Sequence, residues 1–236
     1  MNHSPDLAIY YARAPSGEAD YQALLSSART YLDEDELAYI ARFHFLKDRA
    51  LALTSRCLKR VVLARRLSTE PRLLTFTQSA KGKPQLSGVR GPAFNLSHSS
   101  PWVVLVTGDD PELKLGIDIE DSSRPALPVS ALPGFFSPSE IRKIVLCEGT
   151  GAVCANEFFK YWTLKEALLK ATGEGLSGDI VGEFNLDTSR IQFTPFLDSG
   201  PRWQFWSQHW SDHFRISVAA QRHQAIDVLH IKEIRL

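Results

Sequence analysis

Leu115-Gly116-Ile117-Asp118-Ile119-Glu120 sets how the whole chain is read. Apolar and acidic residues alternate, so the stretch is a strand with Ile117 and Ile119 on one face and Asp118 and Glu120 on the other. A comparable strand is Leu7-Ala8-Ile9-Tyr10-Tyr11, and the elements after the two strands come in a similar order. After the first, Asp33 can cap a helix, with Glu36 three residues on and Leu37 and Ile40 behind. A longer helix spans about 47–66, with Leu51, Leu58, Val61 and Val62 near one face. A short strand at 74–77, a turn at Lys81-Gly82-Lys83-Pro84 and two strands at 94–97 and 102–107 complete this half. After the second, Ser137-Pro138-Ser139-Glu140 opens a helix with cap, N1 proline and N3 glutamate in place. A long helix at 155–171 ends at Gly173, and strands come next at 184–186, 203–206 and 215–219. The expected fold is α+β, built of two similar α/β subdomains, 1–112 and 113–236. A length of 236 residues fits two small halves better than two full domains of ~150 residues each.

Composition narrows the function. The chain has 27 basic and 27 acidic side chains and no net charge, which disfavours a general nucleic-acid or anionic-membrane binder. Its 44% hydrophobic and 23% charged content is that of an ordinary globular protein. Cys57, Cys147 and Cys154 are too few and too scattered for a disulfide framework, and no cysteine or histidine cluster has zinc spacing. Residues 1–6 do not begin a secretory signal. The longest strongly apolar run, 102–106, falls far short of the ~20 residues that span a bilayer. A soluble, cytoplasmic protein in a reducing compartment is expected.

Chemistry concentrates in four places. Asp118 and Glu120 project from one strand face and repel unless a positive charge is near. A hard divalent cation such as magnesium suits oxygen ligands of this kind. Gly116 lets a ligand or a backbone approach closely. The plain alternative is the solvent face of an edge strand. In the second place, Trp162-Thr163-Leu164-Lys165-Glu166-Ala167-Leu168-Leu169-Lys170, the apolar face is Phe158, Tyr161, Trp162, Leu168 and Leu169. Lys165 falls near the middle of that face and must snorkel or find an anion. Trp162, Glu166 and Lys170 share a flank, where Glu166 and Lys170 would otherwise be an ordinary helical ion pair. In the third, Phe94-Asn95-Leu96-Ser97-His98-Ser99-Ser100 ends a strand in hydroxyls and one imidazole, all able to donate to phosphate. In the fourth, Lys81 and Lys83 flank Gly82, so ammonium and backbone donors can converge on an anion. Residues 42–66 also carry Arg42, Lys47, Arg49, Arg56, Lys59, Arg60, Arg65 and Arg66 against one acid, Asp48. They form either a solvated face or a dock for phosphates or an acidic partner.

Together these segments resemble the 4′-phosphopantetheinyl transferases of the Sfp-type, two-subdomain class. The matching pieces are Gly82-Lys83-Pro84, the run Phe94-Asn95-Leu96-Ser97-His98-Ser99, Gly116-Ile117-Asp118-Ile119-Glu120 and residues 158–176; residues 42–52 also look like the family. The resemblance implies two subdomains related by a pseudo-twofold axis, with the active site in the cleft between them, in a monomer. It implies transfer of the phosphopantetheine arm of coenzyme A to a serine of an apo acyl or peptidyl carrier protein, with release of adenosine 3′,5′-bisphosphate. By the same resemblance Asp118, Glu120 and Glu166 would hold magnesium. Glu166, Glu120 or a metal-bound water would take the serine proton, and Lys170 would stabilise the leaving phosphate. Arg42, Lys81, Lys83, Ser97, His98 and Lys165 would bind coenzyme A. The positive stretch would face the acidic carrier, with Arg60, Arg65 and Arg66 in contact. Two other readings stay open: a non-catalytic module binding coenzyme A or carrier, and a metal-dependent phosphodiesterase.

Overall fold

The structure, a computed structural model, describes residues 7–79, 82–146, 153–173, 182–186, 191–195, 202–223, 226 and 229–236. The chain divides into two compact units, Met1–Leu113 with Val228–Leu236, and Lys114–Asp227.

The first unit runs β1 (Leu7–Arg13), α1 (Glu18–Ala28), α2 (Glu34–Ala41), α3 (Leu46–Leu67), β2 (Thr75–Gln78), β3 (Pro84–Ser87), β4 (Ala93–Ser99) and β5 (Trp102–Gly108). The Asp33 carboxylate accepts from the Glu36 amide at 2.8 Å, which is the expected cap of α2. Helix α3 packs on β1, β4 and β5 through buried Leu53, Leu58 and Val62. Val103 to Val106 are wholly buried, because β5 is a central strand with β1 on one side and β4 on the other.

The second unit repeats the order: β6 (Leu115–Asp121), α4 (Pro138–Leu146), α5 (Ala155–Thr172), β7 (Gly182–Asn185), β8 (Gln192–Pro195), β9 (Trp203–Trp210) and β10 (Phe214–Gln221). Its sheet runs β6-β10-β9, and the four-stranded sheet of the first unit contains the run β1-β5-β4, so in each run the first strand pairs with the last and the last with the one before. In each, one long helix covers the sheet and an antiparallel hairpin, β2-β3 or β7-β8, precedes the closing strands. The expected duplication is thus present as topology. Ser137 and Glu140 cap α4 reciprocally: the Ser137 amide donates to Glu140 at 2.8 Å and the Glu140 amide to the Ser137 hydroxyl at 3.3 Å. Gly173 ends α5 at φ 74°.

Two expectations are corrected by the fold. The segment 113–236 does not stay in one half, because β11 (His230–Glu233) pairs in parallel with β1, Ala8 opposite His230, and returns the last residues to the first unit. The basic stretch is largely spoken for by internal partners. Arg60 is 2% exposed and donates to Asp33, Glu36 and the carbonyls of Pro71 and Leu74 at 2.7–2.9 Å. It fastens α3 to the cap of α2 and cannot meet a carrier. Lys59 lies on Glu36 and the Phe76 ring, Arg56 on the Tyr39 ring, and Arg66 pairs with Asp109. Arg42, Lys47 and Arg65 are exposed.

Cys57 is a buried free thiol. Cys154, which precedes α5, is disulfide-bonded. The sequence excludes a disulfide framework, and a single bridge does not make one.

Candidate active site

The site of the second unit is built where β6 lies under α5. Strand alternation puts Gly116, Asp118 and Glu120 on one face of β6, and the Gly116 contacts with Ala167 and Ala171 identify it as the α5 side. A Cβ on Gly116 would fall 2.0 Å from the Ala167 carbonyl oxygen and 2.6 Å from the Ala171 amide nitrogen. The close approach anticipated at Gly116 is therefore that of the α5 backbone. It brings the last two turns of α5, with Glu166 and Lys170, over Asp118.

Asp118 is 3% exposed, and its Oδ1 accepts from the Lys170 ammonium at 2.6 Å. Burial raises the Glu166 carboxyl from its ordinary value to about 7. The Asp118 charge adds to the rise, Lys170 opposes it and Glu120 adds again. Three carboxylates and one ammonium thus share one field. Glu120 is paired with Arg124, four residues on. Among the described residues no three histidine, cysteine, aspartate or glutamate side chains are gathered into a ready cation site. Asp118 is paired with Lys170 and Glu120 with Arg124. The donor set itself, all oxygen and mutually repelling, fits a hard divalent cation.

The field makes a measurable prediction. A carboxyl with a raised pKa holds its proton more tightly folded than unfolded. Its contribution to stability is intact below the ordinary carboxylate range and lost as pH rises through about 7. With divalent cations chelated, Glu166→Gln should therefore raise Tm at pH 8, by ~3 °C, and change it little at pH 5. Melting curves that coincide at pH 8 would remove Glu166 from this field.

Lys165 has different surroundings from those expected. It is 7% exposed, ion-paired with Glu140 at 2.9 Å and bonded to the Gly182 carbonyl at 3.1 Å. Burial pulls its amine down, and Glu140 pulls it back up. The anion that this misplaced lysine finds is thus a buried carboxylate of the protein.

In the first unit, β4 continues past the expected end at Ser97 to include His98 and Ser99, and Ser97 and His98 project to opposite faces. Ser97 is buried beside Asn95 and Ser99, and His98 is exposed. Lys83 comes just after the β2-β3 turn, where Gly82 adopts φ 81° and the Lys83 amide donates to the Ser79 hydroxyl at 3.1 Å. Burial lowers its amine to about 8. Arg42 caps the end of α2 and is exposed. Lys81 lies outside the described residues.

Two charged neighbours were not picked out from the sequence. Arg124 stands four residues after Glu120, and that spacing is its signal. Arg215, 8% exposed, is the partner of Glu120 in the β6-β10 register and bonds Ser207 at 3.5 Å and Asn156 at 3.4 Å. Its signal is a lone charge in an apolar strand.

Residues 114–228 match the family model of the 4′-phosphopantetheinyl transferase superfamily, and residues 19–110 that of the 4′-phosphopantetheinyl transferase N-terminal domain. The chain is similar to the 4′-phosphopantetheinyl transferase HetI of Nostoc sp., 32% identical over 203 residues, covering 83% of this chain and 80% of the relative. It is similar to a phosphopantetheinyl transferase of Thraustochytrium sp., 31% identical over 229 residues, covering 91% and 79%. It also matches the human L-aminoadipate-semialdehyde dehydrogenase-phosphopantetheinyl transferase, 28% identical over 213 residues, covering 81% and 67%. Among the described residues no helix is long and apolar enough to cross a membrane.

Proposed function

The chain belongs to the 4′-phosphopantetheinyl transferase superfamily, and we propose that it moves the phosphopantetheine arm of coenzyme A onto a carrier-protein serine in a magnesium-dependent reaction. The observation that supports this reading is the joint placement of Asp118, Glu166 and Lys170 across β6 and α5. The serine oxygen forms the new bond to phosphorus, the pyrophosphate bond breaks, and adenosine 3′,5′-bisphosphate leaves. Asp118, Glu120 and Glu166 would hold magnesium together with the coenzyme A pyrophosphate. When bound, the cation would screen these acids from one another and neutralise charge on the transferred phosphoryl group. Lys170 would exchange Asp118 for a phosphate oxygen and stabilise the charge that develops on the leaving group. Glu166, or Glu120 in its place, would accept the serine proton. In the first unit, Arg42, Lys83 and His98 would bind the other phosphates of coenzyme A, with Ser97 and Lys81 contributing.

The test is incubation with coenzyme A, magnesium and an apo carrier, with intact mass as the readout. A carrier heavier by one phosphopantetheine is the expected result. No gain with carriers from fatty-acid, polyketide and non-ribosomal peptide systems would overturn the reading, and transfer undiminished in excess chelator would overturn the part assigned to the metal.

A further inference from the structure

Lys165 lies next to Glu166, yet it faces a different part of the unit. Its ammonium sits 2.9 Å from Glu140 and 3.1 Å from the Gly182 carbonyl, between the rings of Phe136 and Phe184. The Glu140 side chain is fully buried. It also accepts the Ser137 amide at 2.8 Å and the Phe184 amide at 2.9 Å. One carboxylate thereby joins the start of α4, strand β7 and helix α5. A carboxylate this deep needs a cation, and a lysine this deep needs an anion. Each is the other's counterion.

Gly116 fixes how close α5 comes to β6, but a close-packed helix can still turn about its own axis. Successive residues on a helix stand about 100° apart, so anchoring Lys165 on one side fixes where Glu166 and Lys170 point on another. We propose that Lys165 and Glu140 form a positioning pair that sets the rotation of α5 and so aims Glu166 and Lys170, and that Lys165 does not bind coenzyme A. This rests on the transferase reading of Glu166 and Lys170.

The pair can be tested by removing it in parts and whole. Lys165→Met leaves a buried carboxylate without its cation, and Glu140→Gln leaves a buried ammonium without its anion. Each should lower kcat by ~10-fold or more, because small misplacements of catalytic groups are costly, while KM for coenzyme A stays within about twofold. The double variant Glu140→Gln, Lys165→Met carries neither charge, and its amide oxygen can keep one of the two backbone N–H groups that Glu140 holds. It should fold, recover most of kcat and bind coenzyme A by calorimetry as tightly as the unaltered protein. If the double variant has lost affinity for coenzyme A, Lys165 is a phosphate ligand and the proposal falls. It falls too if the single variants melt earlier but keep full kcat, because the pair then serves stability alone. Transfer by the unaltered protein is the control: with it intact, either negative result overturns the pairing and leaves the transferase reading standing.

Discussion

Asp118→Ala and Glu166→Ala should each slow phosphopantetheine transfer by ~100-fold or more if they hold the metal. The two losses have distinguishable origins. Asp118 is buried on the floor of the site and meets Lys170 at 2.6 Å, so its removal also takes away one partner of the ammonium that would serve the phosphate. Glu166 approaches from the helix above and is the acid whose proton affinity the field raises. Loss of fold is separable from loss of chemistry at Glu166. Glu166→Gln is expected to be more stable than the unaltered protein at pH 8 without metal, while being nearly inactive. A variant that is both better folded and slower marks a group retained for function at a cost in stability. Magnesium should raise Tm of the unaltered protein and do so less in either variant. A near-normal rate in Asp118→Ala or Glu166→Ala would show that the acids do not hold the metal.

The features legible in the sequence rest on local chemistry. Alternation in 115–120, the Ser137 and Glu140 cap and the Gly173 stop are each decided within a few residues, and each stands in the structure. The duplication is legible because two such local series occur in the same order. The features that escape depend on distant partners. Strand β11 is four residues long, with Ile231 its one apolar residue, and is a strand because β1 offers it an edge. Strands β3 and β8 are equally short and exist as the second arms of hairpins. Helix α1 has Tyr21, Leu24 and Ala28 inward on a largely polar sequence, too sparse a stripe to stand out. Arg60 reads as one more cation on a basic helix. Only the fold shows Asp33, Glu36 and two carbonyls converging on it. Lys165 is the instructive case. Its place on an apolar face demands an anion, and that inference is sound. A phosphate and a buried glutamate satisfy the demand equally well, and nothing local distinguishes Glu140 as more than the third residue of a capped helix.

Gly116→Ala should be among the most damaging single substitutions in the second unit, although it adds one methyl group. The methyl carbon would sit 2.0 Å from the Ala167 carbonyl oxygen and 2.6 Å from the Ala171 amide nitrogen. Both are main-chain atoms within α5, so no side chain can turn aside to make room. Either α5 lifts from β6 or the strand bends away. Lifting the helix opens a core in which Ala167, Leu168 and Leu164 are almost wholly buried. Overpacking of a tight core costs ~1–3 kcal/mol and occasionally more, and a contact with immovable backbone belongs at the upper end. Denaturant unfolding should show the midpoint falling without a matching change in slope. Activity should fall further than stability does, because the same displacement separates Asp118 from Lys170 and Glu166. A glycine at this position has no bearing on helix or strand preference that would explain its presence. It is required because the strand carrying two acids and the helix carrying the third must lie closer than any side chain allows. If Gly116→Ala folds with unchanged stability, that spacing is not tight. If it folds less stably yet transfers at the normal rate, the spacing is tight and the site does not depend on it.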